Sequence, residues 1–321
     1  MKRYILPVLL VCILAFSCKK KEEETVLSAS FTGALDFSIP DYIRPGETYT
    51  LTPSGVSTAD KSDFGYFWTI SSEESVRDTV RHIGDPAQKD GTKVFKAPSE
   101  IGDVTITCAA FASGYYNSTC TKTTVVVSAE SLDGTEVSST TGGIVTDSRD
   151  SRTYLYNNDG SLDWFCSNLE YAEVGVPYKE APAVQELFGG FYTYDEAVTA
   201  CPSGWRLPTV DEWKTLCGGS FEGAAGSLMA DAFFNDDRMW EYYPEVKITN
   251  ENLMSVIPVG YATVSDGVYS FVGFGAYAAF WTSTVYDSEK VDYIYINEKT
   301  PDVMVGSGDK SHFAASVRCV K

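Results

Sequence analysis

Cysteines, two histidines and a few carboxylate-rich turns are the groups in this 321-residue chain whose chemistry goes beyond packing. Setting aside Cys12 and Cys18 near the N-terminus leaves Cys108, Cys120, Cys166, Cys201, Cys217 and Cys319. An even number of cysteines in an exported chain reads as disulfides. Zinc is the competing chemistry, but there is no Cys-x-x-Cys, and only His82 and His312 could complete a site. His82 follows Arg81 in a strand-rich region and His312 follows a turn at residues 308–311, so neither is placed as the base of a triad. Asn157-Asn-Asp-Gly160 and Asp236-Asp237 have residue types suited to calcium or to a paired acid and base. The same residues are also the ordinary chemistry of tight turns and solvated loops. Trp240, Tyr242 and Tyr243, in Met239-Trp-Glu-Tyr-Tyr-Pro244, are the candidate binding residues. Flat aromatics with nearby carboxylates form a sugar or peptide platform, and the competing reading has them plugging the end of a small core. No catalytic set, metal site or cofactor is expected.

The elements that must carry these groups begin with a leader. Residues 1–17 carry Lys2 and Arg3, then an apolar run from Tyr4 to Phe16, then Ser17. This is a secretory signal peptide, shorter than the roughly 20 apolar residues a membrane span needs. Ala15-Phe-Ser-Cys18 resembles a bacterial lipobox, which makes Cys18 the acylated N-terminus and the membrane a partner through its lipid anchor. Residues 18–28 form a charged tether. Its run Lys19-Lys-Lys-Glu-Glu-Glu24 resembles the export signal that places Bacteroidota lipoproteins on the outer face of the outer membrane. The formal charge is −19, and −21 once Lys2 and Arg3 leave with the leader (23 basic against 44 acidic residues). Such a surface repels phosphate backbones, so nucleic acid is not an expected partner.

Residues 29–128 alternate as strands at Tyr49–Thr52, Gly65–Ile70, Lys93–Lys96, Val104–Cys108 and Thr121–Val127, divided by Pro-Gly, Asp-Gly and Ser-rich turns. That spacing predicts an all-β, Ig-like sandwich with Trp68 as its core aromatic. Cys108 and Cys120 lie symmetrically about Gly114, so a hairpin centred there sets them opposite each other, and a bridge would add about 2–4 kcal/mol. Residues 129–143 are polar and read as an interdomain linker. Residues 144–321 open with a hairpin around Asp147–Asp150, continue with helices at Asp195–Cys201 and Val210–Leu216, and return to strands at 256–259, 269–272, 279–283, 292–296, 303–305 and 313–320. Two early helices before a late set of strands is an α+β layout.

One stretch organises the C-terminal domain: Cys201-Pro-Ser-Gly-Trp-Arg-Leu-Pro-Thr-Val-Asp-Glu-Trp213. A turn at 202–204 leads into a short strand, Trp205–Leu207. Pro208 ends it, and Thr209 caps a helix whose first turn holds Asp211 and Glu212. This stretch resembles the signature of the Fibrobacter succinogenes major paralogous domain (FISUMP), common in secreted and surface proteins of Bacteroidota. The resemblance extends to Asp147-Ser-Arg-Asp150 and Tyr154, Trp164 with Asn168-Leu169, Tyr194-Asp-Glu-Ala197, Pro258-x-Gly260-Tyr261, Phe280-Trp-Thr-Ser-Thr284 and Ser316-Val-Arg-Cys-Val320. It covers about residues 143–321 and implies a fold similar to C-type-lectin-like and formylglycine-enzyme-like domains. It also implies that Cys201 pairs with Cys319, the two signature cysteines. Cys166 and Cys217 stand where the family has other residues, and this shared departure pairs them with each other. The formylglycine-generating activity, which uses its own cysteine pair, is not carried over. The Glu-Pro-Asn and Gln-Pro-Asp tripeptides of calcium-dependent lectins do not occur here.

The expectation is therefore a multidomain, surface-exposed outer-membrane lipoprotein. Its N-terminal Ig-like sandwich lifts a C-terminal α+β C-type-lectin-like domain that binds an extracellular glycan or protein. An adhesin or assembly component making only protein contacts is the second reading, and an enzyme the third.

Overall fold

The computed structural model describes residues 29–61, 63–72, 78–81, 90–136, 140–240 and 246–321. Cys18 with its tether, His82, Tyr242 and Tyr243 lie outside the described residues. The chain is β-rich in both halves.

In the N-terminal half, period-two burial organises the strands. Along Gly65–Ser72, Trp68 and Ile70 point inward while their neighbours are half-buried. This strand lies between Asp78–Arg81 and Gly102–Phe111, followed by Ser118–Val126 and Tyr42–Ile43, in one five-stranded sheet. Three short pairs, Thr32–Asp36 with Ser54–Ser57, Thr48–Leu51 with Lys93–Lys96 and Ala29–Ser30 with Tyr115–Tyr116, accompany it. Trp68 is fully buried beside Phe37, Leu51, Phe95 and Ile106, as its place in the alternation predicts. The hairpin predicted around Gly114 forms, and its register sets Cys108 directly opposite Cys120. Both are unbridged thiols in this structure.

Residues 129–143 are not simply an open linker. Ser128 accepts from the Glu130 N–H, and the Ser131 hydroxyl accepts from the Ser128 N–H, closing a single 3-10 turn. Leu132–Asp133 then pairs with Phe233–Phe234 of the C-terminal half. Val127 is buried in a cluster with Tyr178, Phe188 and Phe191, against which Tyr42 and Val125 also pack. Lys179 meets Asp41 at 2.7 Å, and Arg44 donates to the Pro182 carbonyl at 2.7 Å. The halves thus share apolar packing as well as chain.

Among the described residues the C-terminal half has three sheets besides the small one that Leu132–Asp133 forms with Phe233–Phe234 and Asp237–Arg238. Gly143–Thr146, Thr153–Asn158 and Asp163–Phe165 form the first. Val176–Pro177, Gly190–Thr193, Phe313–Ala315, Tyr261–Ser265 and Val268–Val272, in that order, form the second. The third is Tyr277–Val285, Lys290–Asn297 and Met304–Asp309, joined to the second by bridges at Gly260–Ala278 and Phe280–Ser316. The expected strand at 256–259 is reduced to a bridge at Val256, and residues 205–207 to one at Arg206, which pairs with Val320.

The signature stretch is architecture. The helix Val210–Leu216 has the predicted bounds. Thr209 accepts from the Glu212 N–H at 3.1 Å while Glu212 accepts from the Thr209 N–H at 2.7 Å, a reciprocal cap. Glu212 also takes a two-point contact from Arg206, whose guanidinium holds the carboxyl below its usual range. Gly218, at φ 73°, and Gly219, at φ 91°, follow the helix in conformations open mainly to glycine. Trp213 packs edge-on against Trp164 and tilted against Phe280. Pro208 accepts from the Ser283 N–H, and Thr284 accepts from the Val210 N–H, so the Phe-Trp-Thr-Ser-Thr strand docks on the helix start. Cys201 and Cys319 are bridged, with Cα atoms 5.8 Å apart across a separation of 118 residues. Arg318 is buried without a carboxylate: it donates to Asn168 at 2.8 Å and to the Phe165 and Met254 carbonyls, and burial pulls its guanidinium down to about 9. Asn168 and Arg318, 150 residues apart in sequence, thereby meet.

Candidate functional site

The residues singled out from sequence separate in the structure. Trp240 is 1% exposed, in a core cluster with Trp213, Leu228 and Met254, and its indole N–H donates to the Val256 carbonyl at 3.4 Å. The hairpin Phe233–Phe234 with Asp237–Arg238 folds the insertion back on the domain, so Trp240 enters the core and is not a platform residue. Cys166 is a buried thiol and Cys217 a half-buried one, with no bridge between them, contrary to the expected second pair. Burial raises both, Cys217 to about 12 and Cys166 against the opposing Arg318 charge, which suits packing more than nucleophilic attack.

His312 lies in an exposed turn. Asp309 Oδ1 accepts from the Ser311 N–H, the His312 N–H and His312 Nδ1, and Ser311 Oγ lies 3.4 Å from the same Nδ1. A catalytic relay needs hydroxyl and carboxylate on opposite imidazole nitrogens, and here both converge on one. Asp159 accepts from the Ser161 and Leu162 N–H groups and the Trp164 indole, the work of a turn. Asp236 has φ 66° in its own hairpin. Among the described residues no group of three His, Cys, Asp or Glu side chains is placed to hold a metal ion.

The sequence reading missed the site the fold does build. In the third sheet, register places Tyr277 opposite Asn297, Ala279 opposite Tyr295 and Trp281 opposite Tyr293. Their neighbours Ala278, Phe280, Ile294 and Ile296 point the other way into the core. Trp281 anchors the first set: it is fully buried, and its indole donates to the Tyr192 carbonyl at 2.7 Å. Beyond it the face is no longer sealed, and Tyr277, Tyr293 and Tyr295 are half-buried. Tyr261 and Phe313 join them from the second sheet. Tyr293 stacks on Phe313 at 4.6 Å, Tyr277 stacks on Tyr295 at 5.0 Å, and Tyr261 touches both Tyr277 and Phe313.

Two glycines make room for these rings. A Cβ at Gly306 would press on the Tyr293 ring, and one at Gly308 on Phe313 and Trp281. The result is an open groove of about 520 Å³ lined by Tyr261, Tyr277, Tyr293 and Phe313, with Glu298 and Lys299 also in the lining. That volume lies within the usual range for small-ligand sites. Burial holds the Tyr277 hydroxyl far above its ordinary value, and a hydrogen bond with the Tyr293 hydroxyl adds to the rise. Burial raises Tyr293 as well. These phenols stay protonated at physiological pH, able to donate and accept hydrogen bonds but not to act as phenolate bases or nucleophiles. A period-two signal marks the site in sequence: tyrosines at 293 and 295 alternate with core isoleucines at 294 and 296.

Comparison with known proteins adds one match. The family described as the Fibrobacter succinogenes major domain matches residues 128–321, more than half of the chain, starting at the serine that caps the 3-10 turn. No curated protein and no solved structure matches the chain.

Proposed function

The chain belongs to the Fibrobacter succinogenes major domain family, and from that premise we propose that it is a surface-exposed lipoprotein whose C-terminal domain binds an extracellular ligand in the tyrosine groove. Cys18 carries the lipid, the Ig-like N-terminal half holds the lectin-like half away from the outer membrane, and the groove makes the contact. The observation that carries this reading is the half-buried cluster of Tyr261, Tyr277, Tyr293 and Phe313 on strands whose alternate residues are sealed in the core. Aromatic side chains left at the edge of water, with polar tips and an apolar body, are the usual makings of a contact surface. Binding is favoured over catalysis because the groove lining contains no histidine, cysteine or aspartate and a single glutamate, and its Tyr277 and Tyr293 phenols are held protonated.

A protein partner is the second reading. It is favoured by the edge strand Val268–Val272, which presents Val268 at 62% and Val272 at 45% exposure beside the groove.

Glycan and protein arrays probed with the purified chain test the reading, each hit being repeated with Tyr293→Ala. Hits that weaken tenfold or more support the groove, and hits that persist unchanged remove it. Protease shaving of intact cells tests the placement: cleavage is expected, and full protection beside a cleaved control protein overturns surface exposure.

A further inference from the structure

The groove's lining also narrows what it can hold, given that the groove is the binding surface. Three of its four rings carry a hydroxyl, at Tyr261, Tyr277 and Tyr293. Its charged groups are one glutamate and one lysine, adjacent in sequence at 298 and 299. No arginine or histidine lines it. An anionic ligand would therefore meet a single lysine, offset by its neighbour, on a chain of formal charge −19. The paired donors that recognise phosphate or carboxylate are missing from the lining. A wholly apolar ligand would strip water from three phenols and leave them only the bond that Tyr277 and Tyr293 share, which is unfavourable.

The complementary ligand is uncharged, has an apolar face to lie on a ring, and has edges that both donate and accept. A proline-rich peptide meets only part of this description. Its prolines stack on aromatic rings but lack N–H groups, so it offers mainly carbonyl acceptors to phenols that also need donors. A sugar ring meets all of it, with C–H bonds on its face and hydroxyls around its rim. We propose that the groove binds an uncharged oligosaccharide, with a sugar ring against the Tyr293–Phe313 pair and sugar hydroxyls hydrogen-bonded to the Tyr261 and Tyr277 phenols. The rise in the Tyr277 and Tyr293 hydroxyls means that the bonding capacity of these two does not change across physiological pH.

The test is isothermal titration of the full chain with cello-, manno- and xylo-oligosaccharides. Parallel arms use oligogalacturonate as the acidic sugar and a polyproline peptide. At least one neutral series is expected to bind, with affinity constant from pH 6 to pH 9. Tyr293→Ala should weaken it tenfold or more. Tyr277→Phe, which keeps the ring and loses only the hydroxyl, should weaken it by about threefold to tenfold, with a melting temperature near neutral pH lowered by no more than about 2–4 °C, the worth of its bond with Tyr293. Failure of all three neutral series to bind overturns the carbohydrate assignment, as does binding that both substitutions leave intact. Groove-dependent binding of the acidic sugar alone overturns the uncharged character of the ligand, and of polyproline alone the sugar class, while leaving the groove as a binding surface. The two failures are thus distinguishable.

Discussion

The two faces of the sheet formed by Tyr277–Val285, Lys290–Asn297 and Met304–Asp309 share one backbone and have different fates. On one face Phe280, Ile294 and Ile296 are closed over by Trp213, Trp164 and the helix Val210–Leu216, and none retains appreciable contact with water. The other face begins as core at Ala279 and Trp281 and then runs out to Tyr277, Tyr293 and Tyr295, where packing stops halfway. Both faces are aromatic and apolar in composition, so composition does not separate structure from site. What separates them is whether another element covers the rings. A tyrosine needs one wet end, and placing tyrosines where the covering sheet ends gives a surface that is rigid behind and accessible in front.

The largest effect is expected behind the groove. The Cys201–Cys319 bridge ties the end of the helix Tyr194–Ala200 to the closing segment beside Trp281 and Val317. Replacing both cysteines by serine should cost about 4–5 kcal/mol, the loop-entropy value for a closure of this length, read by urea denaturation. A loss under about 1 kcal/mol would mean that the closing segment is held by packing alone.

The next effect compares the faces directly. Phe280→Ala should cost about 3–5 kcal/mol, as expected for a sealed core aromatic. Tyr293→Ala, from a half-buried position, should cost about 1 kcal/mol. Equal losses in thermal melts would show that Tyr293 is core and would erase the distinction.

The glycines sharpen the comparison at a smaller scale. A methyl at Gly308 meets the buried Trp281 and Phe313, so Gly308→Ala should cost about 1–3 kcal/mol. A methyl at Gly306 meets the outer end of the Tyr293 ring, which can swing toward solvent. Gly306→Ala should therefore cost less than Gly308→Ala and act mainly on ligand affinity. The reverse order of stabilities would place the Tyr293 ring in a closed environment.

Legibility follows how local each feature is. The helix Val210–Leu216 and its Thr209–Glu212 cap are written in consecutive residues, and so is the hairpin that aligns Cys108 with Cys120. The 201–319 pairing came from the family pattern and is present. For Trp240 the platform reading fails and the competing core reading holds: an aromatic cluster in a sequence carries no direction, and here the preceding hairpin turns it inward. The 129–143 stretch reads as open because its composition is polar, yet two serine hydroxyls close a turn at its start and one two-residue strand fastens it to the C-terminal half. The groove draws on residues 261, 277, 293 and 313, whose meeting depends on two sheets being bridged together. Only the Tyr293-Ile-Tyr295 alternation hinted at it.

The smallest effect appears only in alkali, and it tests whether the tyrosines are held as described. A phenol whose folded value lies above its unfolded value near 10 favours the fold below that pH. The contribution is then lost progressively as pH rises past 10, because the unfolded chain gives up the proton first, with a slope of no more than about 1.4 kcal/mol per pH unit for each group. Tyr277, raised by burial and by its bond with Tyr293, is the groove residue with the largest such displacement. Tyr49 and Tyr269, each raised to about 12, titrate elsewhere in the chain and act as a common background. Tyr277→Phe should therefore cost about 0.5–1.5 kcal/mol near pH 8, the net worth of its bond with Tyr293, and lose less further stability than the wild type between pH 10 and pH 12. Paired denaturant titrations at those pH values measure the difference. If the substituted and parent chains lose stability in parallel, Tyr277 ionises as a solvated phenol does. The face it occupies would then be ordinary wet surface and not a half-closed groove.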